Sequence, residues 1–317
     1  MNVVYMGTPE FACFPLKTLA GSHHKVMAVV TGPDKPAGRG HTTVPGPVKT
    51  AALELGLPIY QPESLKDESF IQSMASLGAD LFVVIAFRIL PENLYRLPRC
   101  GAINIHASLL PKYRGAAPIH HAVKNGEETT GLTSFFLTRK VDEGEMIAQT
   151  ATPIDPDEIC SALSTRLSRL AGPFLLETLE KIAEPGFCPL RQDDRQAMPA
   201  PKIHPADGLI DWRQDRRRIH NHIRAFSERP GAFSYLGDLK VKILQSALTA
   251  EMPSASLEPG RLAVIDRRLY VGAGDGPLGL LRLQPEGKRV MDGAAFINGY
   301  RITTEHNFTD ARKEVKY

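Results

Sequence analysis

The run LFVVIAF, Leu81–Phe87, is the longest unbroken apolar stretch in the chain and confines the fold more than any other segment. It is far too short for the ~20 residues that a membrane-spanning helix requires. Apolar at every position over Leu81–Ala86, it reads as a strand covered on both faces, and such strands belong to parallel sheets flanked by helices. The opening residues agree. NVVYMG is a short β run, Phe11, Phe14, Leu16 and Leu19 follow at helical spacing, and KVMAVVT (Lys25–Thr31) is a second strand, which makes a β-α-β unit. VKTAALELGLP forms a helix stopped by Gly56 and Pro58, and a further helix spans about Asp67 to Leu77.

The pattern continues into AINIHA. Side chains alternate along a strand, so Asn104 and His106 share one face while Ile103 and Ile105 occupy the other. That polar face sits at the carboxyl end of a strand, where open α/β sheets place their ligands. Pro118 opens a helix through about Lys124, and GLTSFFLT and EMIAQTATPI are strands, with Asp142 on the turn before the second. In DPDEICSALSTRLSRLAG the residues Ile159, Leu163, Leu167 and Leu170 make a core-facing helix with acidic residues in its first turn.

From Glu184 to Pro205 the pattern dissolves into proline and charge, as in a linker. Beyond it GAFSYL, LKVKILQSAL, GRLAVID, RLYVGAG and LGLLRLQP are short strands separated by Gly and Pro turns, the spacing of a small β-barrel or sandwich. A length of 317 residues suits two domains. The expected architecture is therefore a Rossmann-like, mostly parallel α/β domain over 1–184, a linker over 185–205 and a small OB-like β-barrel over 206–317.

Several classes are excluded. With 43% hydrophobic and 23% charged residues the chain is neither disordered, collagenous nor a coiled coil. The start, MNVVYMGTPEF, lacks the layout of a secretory signal, and a cytoplasmic location is expected. Cys13, Cys100, Cys160 and Cys188 form no CxxC pair and read as reduced, packed thiols. A net charge of +3 leaves any polyanion contact to local patches. Pro9 breaks a dinucleotide-binding GxGxxG, and no GxSxG elbow or P-loop is present. His120 and His121 are adjacent, His220 and His222 lie two apart on a helix, and both pairs diverge, so no metal is expected.

The loop Thr31–Lys49, rich in Pro and Gly, carries Lys35, Arg39 and Lys49, and is either a solvated surface loop or a functional one. Asn104 and His106 together suit acyl-group transfer: an amide donates to a developing oxyanion and an imidazole moves a proton at neutral pH. Asp142 would orient that imidazole, hold a water or favour its protonated form. The competing structural reading makes Asn104 a partner of backbone groups and His106 a core residue.

INIHASLLPKYRGAAPIHHAVKNGEETTG followed by VDEGEMI resembles the signature of the folate-dependent formyltransferases, in which an N-x-H, a SLLPxxRG segment and a later Asp form the active site. GTPEFA, PDKPAGRG (Pro33–Gly40), LIDW (Leu209–Trp212) and LQPEGKRVM (Leu283–Met291) resemble the members that formylate the α-amine of methionine on initiator tRNA, and the similarity runs nearly end to end. The resemblance implies 10-formyltetrahydrofolate as formyl donor, initiator methionyl-tRNA as partner, no metal, and catalytic roles for Asn104, His106 and Asp142. It implies that Ser108, Leu109, Leu110 and Pro111 line the folate side together with the loop Phe87, Arg88, Ile89 and Leu90, and that Lys35 and Arg39 engage tRNA.

Two departures stand out. Many members have Tyr-Gly where this chain has Phe87-Arg88, and basic residues where it has His41 and Thr42. Arg213–Arg224, Lys240, Lys242, Lys288 and Arg289 would supply phosphate contacts from the second domain, unless they form a solvated charged face. The alternatives are a formyltransferase acting on a small amine such as an amino sugar nucleotide, and a folate- or RNA-binding protein without catalysis.

Overall fold

Strand β1 (Asn2–Gly7) lies between β2 (Lys25–Val30) and β6 (Leu81–Ile85), paired in parallel with both. The computed structural model describes residues 1–37, 42–248 and 257–311. It resolves into two units. One holds Met1–Pro118, Thr129–Pro153 and Ser164–Ala200, and the other Ile119–Glu128, Ile154–Leu163 and the chain from Pro201 onward. Neither unit is a single contiguous piece of chain.

In the first unit β5 (Ile59–Tyr60) and β7 (Ala102–His106) extend the parallel sheet, and β8 (Thr129–Phe136) and β9 (Met146–Pro153) close one edge antiparallel. The order among the described residues is β5-β2-β1-β6-β7-β8-β9. Every residue of β6 is buried, as a strand covered on both faces must be. On one face Val4, Met6, Phe82 and Val84 pack with Phe70, Met74 and Leu94, contributed by α3 (Glu68–Ser76) and α4 (Glu92–Tyr95). Full burial of one such side chain contributes about 1.5–3 kcal/mol. The Asp67 carboxylate caps α3 by accepting from the Ser69 N–H at 3.0 Å, a contribution of about 1 kcal/mol.

Helices α1 (Cys13–Ala20) and α2 (Pro47–Glu54) complete the β-α-β pattern, and α5 (Pro118–Lys124) and α6 (Cys160–Ala183) follow the site strands. Helix α6 runs through Pro173, well beyond the stretch whose periodicity marked it. Its first turn holds no acidic residue, because Asp155, Asp157 and Glu158 precede it. The long proline-rich loop contains backbone order: β3 (Lys35–Ala37) pairs antiparallel with β4 (Thr42–Val44). Its base is fastened by Lys49 on Asp34 and by Gln61, whose amide donates to the Gly32 carbonyl and to Asp34. The Lys49 hydrogen bond holds the Asp34 carboxyl below its usual range.

In the second unit β10 (Phe233–Leu236), β11 (Leu239–Ala247), β12 (Leu262–Ile265), β13 (Arg268–Ala273) and β14 (Gly276–Pro285) are antiparallel, with the two-residue β15 (Met291–Asp292) and β16 (Phe308–Thr309). The order is β12-β13-β14-β11-β10-β16. The two ends meet through an Arg261–Asn307 bridge, where Leu262 N–H donates to His306 and Phe308 N–H to Gly260. These contacts join the two ends of the sheet, as closure of a small barrel requires. Helix α7 (Arg216–Phe226) packs on β11 and β14, and α8 (Gly293–Tyr300) on β13 and β14. Trp212 fixes one end of the barrel, stacking on Phe308 at 5.7 Å and donating to Ser234 at 2.9 Å.

The basic stretch of α7 is less available than its composition suggests. Arg224 is buried, bonding Asn221 and the carbonyls of Asp155 and Glu158, while Arg213, Arg216 and Arg218 pair with Asp211, Asp275 and Asp215. Cys13 and Cys160 are buried, and burial pushes the Cys160 thiol up to about 12. Cys188 is exposed rather than packed. No helix among the described residues is long and apolar enough to cross a membrane.

Candidate active site

Strand β7 ends in His106, and the parallel pairing Val84–Asn104 sets that end beside the end of β6. His106 is buried, with Nε2 2.7 Å from the Tyr113 carbonyl oxygen. A carbonyl only accepts, so Nε2 carries the proton and Nδ1 keeps the lone pair of the neutral ring. Nδ1 faces Asp142 Oδ2 at 3.8 Å, beyond hydrogen-bond length, so the two attract as an ion pair only once the ring takes up a proton. Asn104 stands two residues earlier on the same face. Its Oδ1 is buried without a hydrogen-bond partner, which is costly unless a ligand supplies a donor.

The loop after β7 is shaped from inside. Thr133 of β8 donates to the Ser108 carbonyl at 2.7 Å and accepts from Leu110 N–H at 3.0 Å, and Gln149 donates to the Leu110 carbonyl at 2.8 Å. The Ser108 hydroxyl is spent on the Lys112 carbonyl at 2.6 Å. Ser108 and Leu110 are buried, so of the four residues expected on the folate side only Leu109 and Pro111 keep exposed surface. Tyr113 takes a left-handed φ of +64°, which turns its carbonyl onto His106.

Gly115 is required by the same loop. Its φ is +127°, a Cβ there would lie 2.5 Å from the Ala200 carbonyl oxygen, and its N–H donates to Asp142 Oδ2 at 2.8 Å. Asp142 itself holds φ +56°, a conformation that costs roughly 1–2 kcal/mol outside glycine. The surroundings enforce it. Gln192 donates from one amide nitrogen to the carbonyls of Asp142 (2.9 Å) and Gly144 (2.8 Å), while its oxygen accepts from Arg114 at 3.0 and 2.7 Å. Arg114 in turn pairs with Asp194 at 2.8 Å. Sequence reasoning missed Gln192, which lies in the proline-rich stretch read as a linker and acts on backbone groups that leave no pattern.

At the end of β6 the loop Phe87–Leu90 is held by Arg88, which donates to the carbonyls of Pro62 at 2.8 Å and Glu63 at 2.9 Å and lies over the Phe87 ring. Leu90 is buried, Phe87 is half-buried, and Ile89 is 77% exposed. Lys35 lies in β3, and Arg39 and His41 fall outside the described residues. The discounted histidines are structural. His120 and His121 bond the carbonyls of Arg229 and Pro201, and His220 bonds Ser246 and Pro156. His222 packs edge-on against Phe226 and is pulled down to about 4 by burial.

Residues 1–179 match the formyl transferase family, and residues 202–301 match the formyl transferase C-terminal domain. The chain belongs to the formyltransferase family. Among curated relatives, the methionyl-tRNA formyltransferase of Chlorobium luteolum is 45% identical over 95% of this chain and 97% of its own, and that of Citrifermentans bemidjiense 43% over 95% and 94%. A solved structure of WlaRD, a sugar 3N-formyl transferase with dTDP and 5-N-formyl-THF, matches with a TM-score of 0.65 at 17% identity, covering 91% of this chain and 99% of that one. HypX from Aquifex aeolicus with tetrahydrofolic acid matches with a TM-score of 0.61 at 16% identity, over 94% of this chain and 47% of that one. At such identities these two establish the fold. Family membership makes this chain a formyl-transferring enzyme, of a family that draws on folate-derived donors.

Proposed function

We propose that the chain transfers the formyl group of 10-formyltetrahydrofolate to the α-amine of methionine esterified to initiator tRNA, giving the formylated aminoacyl-tRNA for translation initiation. The relatives at 43–45% identity over nearly the whole chain support the substrate assignment. The observation that carries the chemistry is the polar end of β7: Asn104 Oδ1 buried and unpartnered, with His106 locked by Tyr113 and facing Asp142.

The donor's chemistry is a formyl carbon bonded to a nitrogen that can leave. The exposed Ile89 and half-buried Phe87 suit an apolar ring, and the orphaned Asn104 oxygen suits an N–H donor such as the attacking amine. The amine forms a bond to the formyl carbon, and the Asn104 amide N–H₂ donates to the oxygen on which charge builds. His106 takes the amine proton at Nδ1 and returns it to the departing nitrogen as the carbon–nitrogen bond breaks. Asp142 stabilises the imidazolium in between. No covalent enzyme intermediate is needed.

In this reading the α/β part carries catalysis, and the antiparallel part, with Lys35 and Arg39 of the β3–β4 loop, engages tRNA. Single-turnover formyl transfer to charged initiator tRNA tests it. With folded variants, Asn104→Ala is expected to lose about 10²- to 10³-fold and His106→Ala about 10²- to 10⁴-fold. Near wild-type rates in both would overturn the mechanism. Faster transfer to a dTDP-linked amino sugar than to charged tRNA would overturn the substrate.

A further inference from the structure

The bend Ser22–His24 that enters β2 brings two imidazoles against the last turn of α6. His23 Nε2 lies 3.2 Å and His24 Nε2 3.4 Å from the same oxygen, Glu180 Oε1. The three ligand atoms fall within 4.8 Å of one another, the one group of three such side chains to do so among the described residues. The two histidines differ sharply in setting. His23 and Glu180 are 74% and 56% exposed, but the His24 side chain is only 4% exposed and its Nε2 has no hydrogen-bond partner. On its other side His24 Nδ1 is held 3.2 Å from the Met1 nitrogen, which aims Nε2 at Glu180.

We propose that His23, His24 and Glu180 form a binding site for a divalent transition-metal ion of the zinc class, fastening the entrance of β2 to the end of α6. None of these residues belongs to the catalytic set proposed above. Two imidazoles and one carboxylate are the donor set that zinc and its neighbours prefer, whereas calcium and magnesium take oxygen ligands. The spacing fits as well: tetrahedral ligands ~2.0–2.1 Å from zinc sit about 3.3–3.4 Å apart, and the two separations to Glu180 are 3.2 and 3.4 Å. The His23 ring, 74% exposed, lies against the His24 ring with centroids 4.1 Å apart, which keeps both imidazoles on the same side of Glu180. A fourth position stays open to water.

On the Glu180 side the electrostatics favour a cation. The last turn of a helix carries partial negative charge on its unpaired carbonyls, and Glu180 adds a full one.

The test uses the full chain. Co²⁺ is titrated and its visible absorption followed, and thermal unfolding is recorded in Zn²⁺ with Mg²⁺ as control. The expected result is saturable Co²⁺ absorption at one ion per chain and a rise of several degrees in Tm at Zn²⁺ near 100 times Kd, with no effect of Mg²⁺. His23→Asn and Glu180→Gln change exposed side chains and leave the fold intact, and each is expected to weaken binding at least about 10-fold. No saturable Co²⁺ signal in the wild type, or the same Kd in both variants as in the wild type, would overturn the proposal.

Discussion

Replacing Gln192 by Leu keeps the volume of the side chain and removes all four of its hydrogen bonds. Two run to the carbonyls of Asp142 and Gly144 and two come from Arg114. At about 0.5–1.5 kcal/mol net for each neutral bond and about 1.5–3 kcal/mol for each from the guanidinium, the site loses on the order of 4–9 kcal/mol, of which about 1–3 kcal/mol comes from the two bonds that hold the Asp142 turn itself. Those two bonds are comparable to the roughly 1–2 kcal/mol stored in the left-handed Asp142 backbone, so without them the turn is expected to relax and draw the carboxylate off Gly115 N–H and away from His106. Misplacement of a catalytic group by about 1 Å costs on the order of 10²-fold in rate. The assay is single-turnover formyl transfer at saturating substrates, with urea unfolding alongside to confirm a folded variant. The same substitution made in an Asp142→Ala background isolates the route: if Gln192 acts by positioning Asp142, it costs less than about 2-fold there. A Gln192→Leu enzyme with wild-type turnover, or an equal loss in both backgrounds, would refute the reasoning.

Gly115→Ala is expected to lower the transfer rate and the unfolding midpoint together, because its Cβ meets backbone 2.5 Å away; an unchanged denaturation curve would show that the loop yields freely. His222 has its folded pKa at about 4, below the ordinary 6.5, so stability is full above pH 6.5 and falls by up to about 3 kcal/mol as pH drops towards 4. His222→Leu is expected to flatten that acid limb in urea midpoints measured against pH, and an unaltered limb would count against it. Arg88→Met is expected to raise KM for the folate substrate several-fold with kcat little changed, by freeing the Phe87–Leu90 loop; an unchanged KM would reduce Arg88 to a surface tie. Arg39→Ala is expected to make the log–log salt dependence of tRNA binding shallower by roughly 0.7–0.9, and an equal slope would remove this residue from the interface.

What was legible in the sequence is what regular periodicity or local chemistry records. A strand covered on both faces is apolar at every position, so β6 could be read directly, and a period of two placed Asn104 and His106 on one face before any coordinates. Asp142 was harder, since nothing in a turn sequence announces a carboxylate aimed at a histidine 36 positions earlier; its residue type left several roles open, and the resemblance implied the catalytic one. Two-residue strands such as β5 and β16 carry no period at all. The basic stretch of α7 shows the opposite error. Counting charge treats Arg224 and Arg217 alike, yet only burial reveals that Arg224 is committed to the carbonyls of Asp155 and Glu158.

Arg88 marks the point where family pattern and local physics part. A Tyr-Gly pair in this loop would leave its path to glycine's backbone freedom, whereas Phe87-Arg88 fixes it through a side chain. The planar guanidinium reaches two successive carbonyls, Pro62 and Glu63, and so ties the loop after β6 to the loop after β5. Two bonds from one rigid fork order both loops at once, at little additional entropy for the second. The apolar surface proposed to meet the folate ring, Ile89 above all, is then presented by a segment braced from beneath rather than by a flexible one. A pocket wall ordered before the ligand arrives loses less conformational entropy on binding. In this chain the loop is thus ordered by the Arg88 side chain, which ties it to the carbonyls of Pro62 and Glu63.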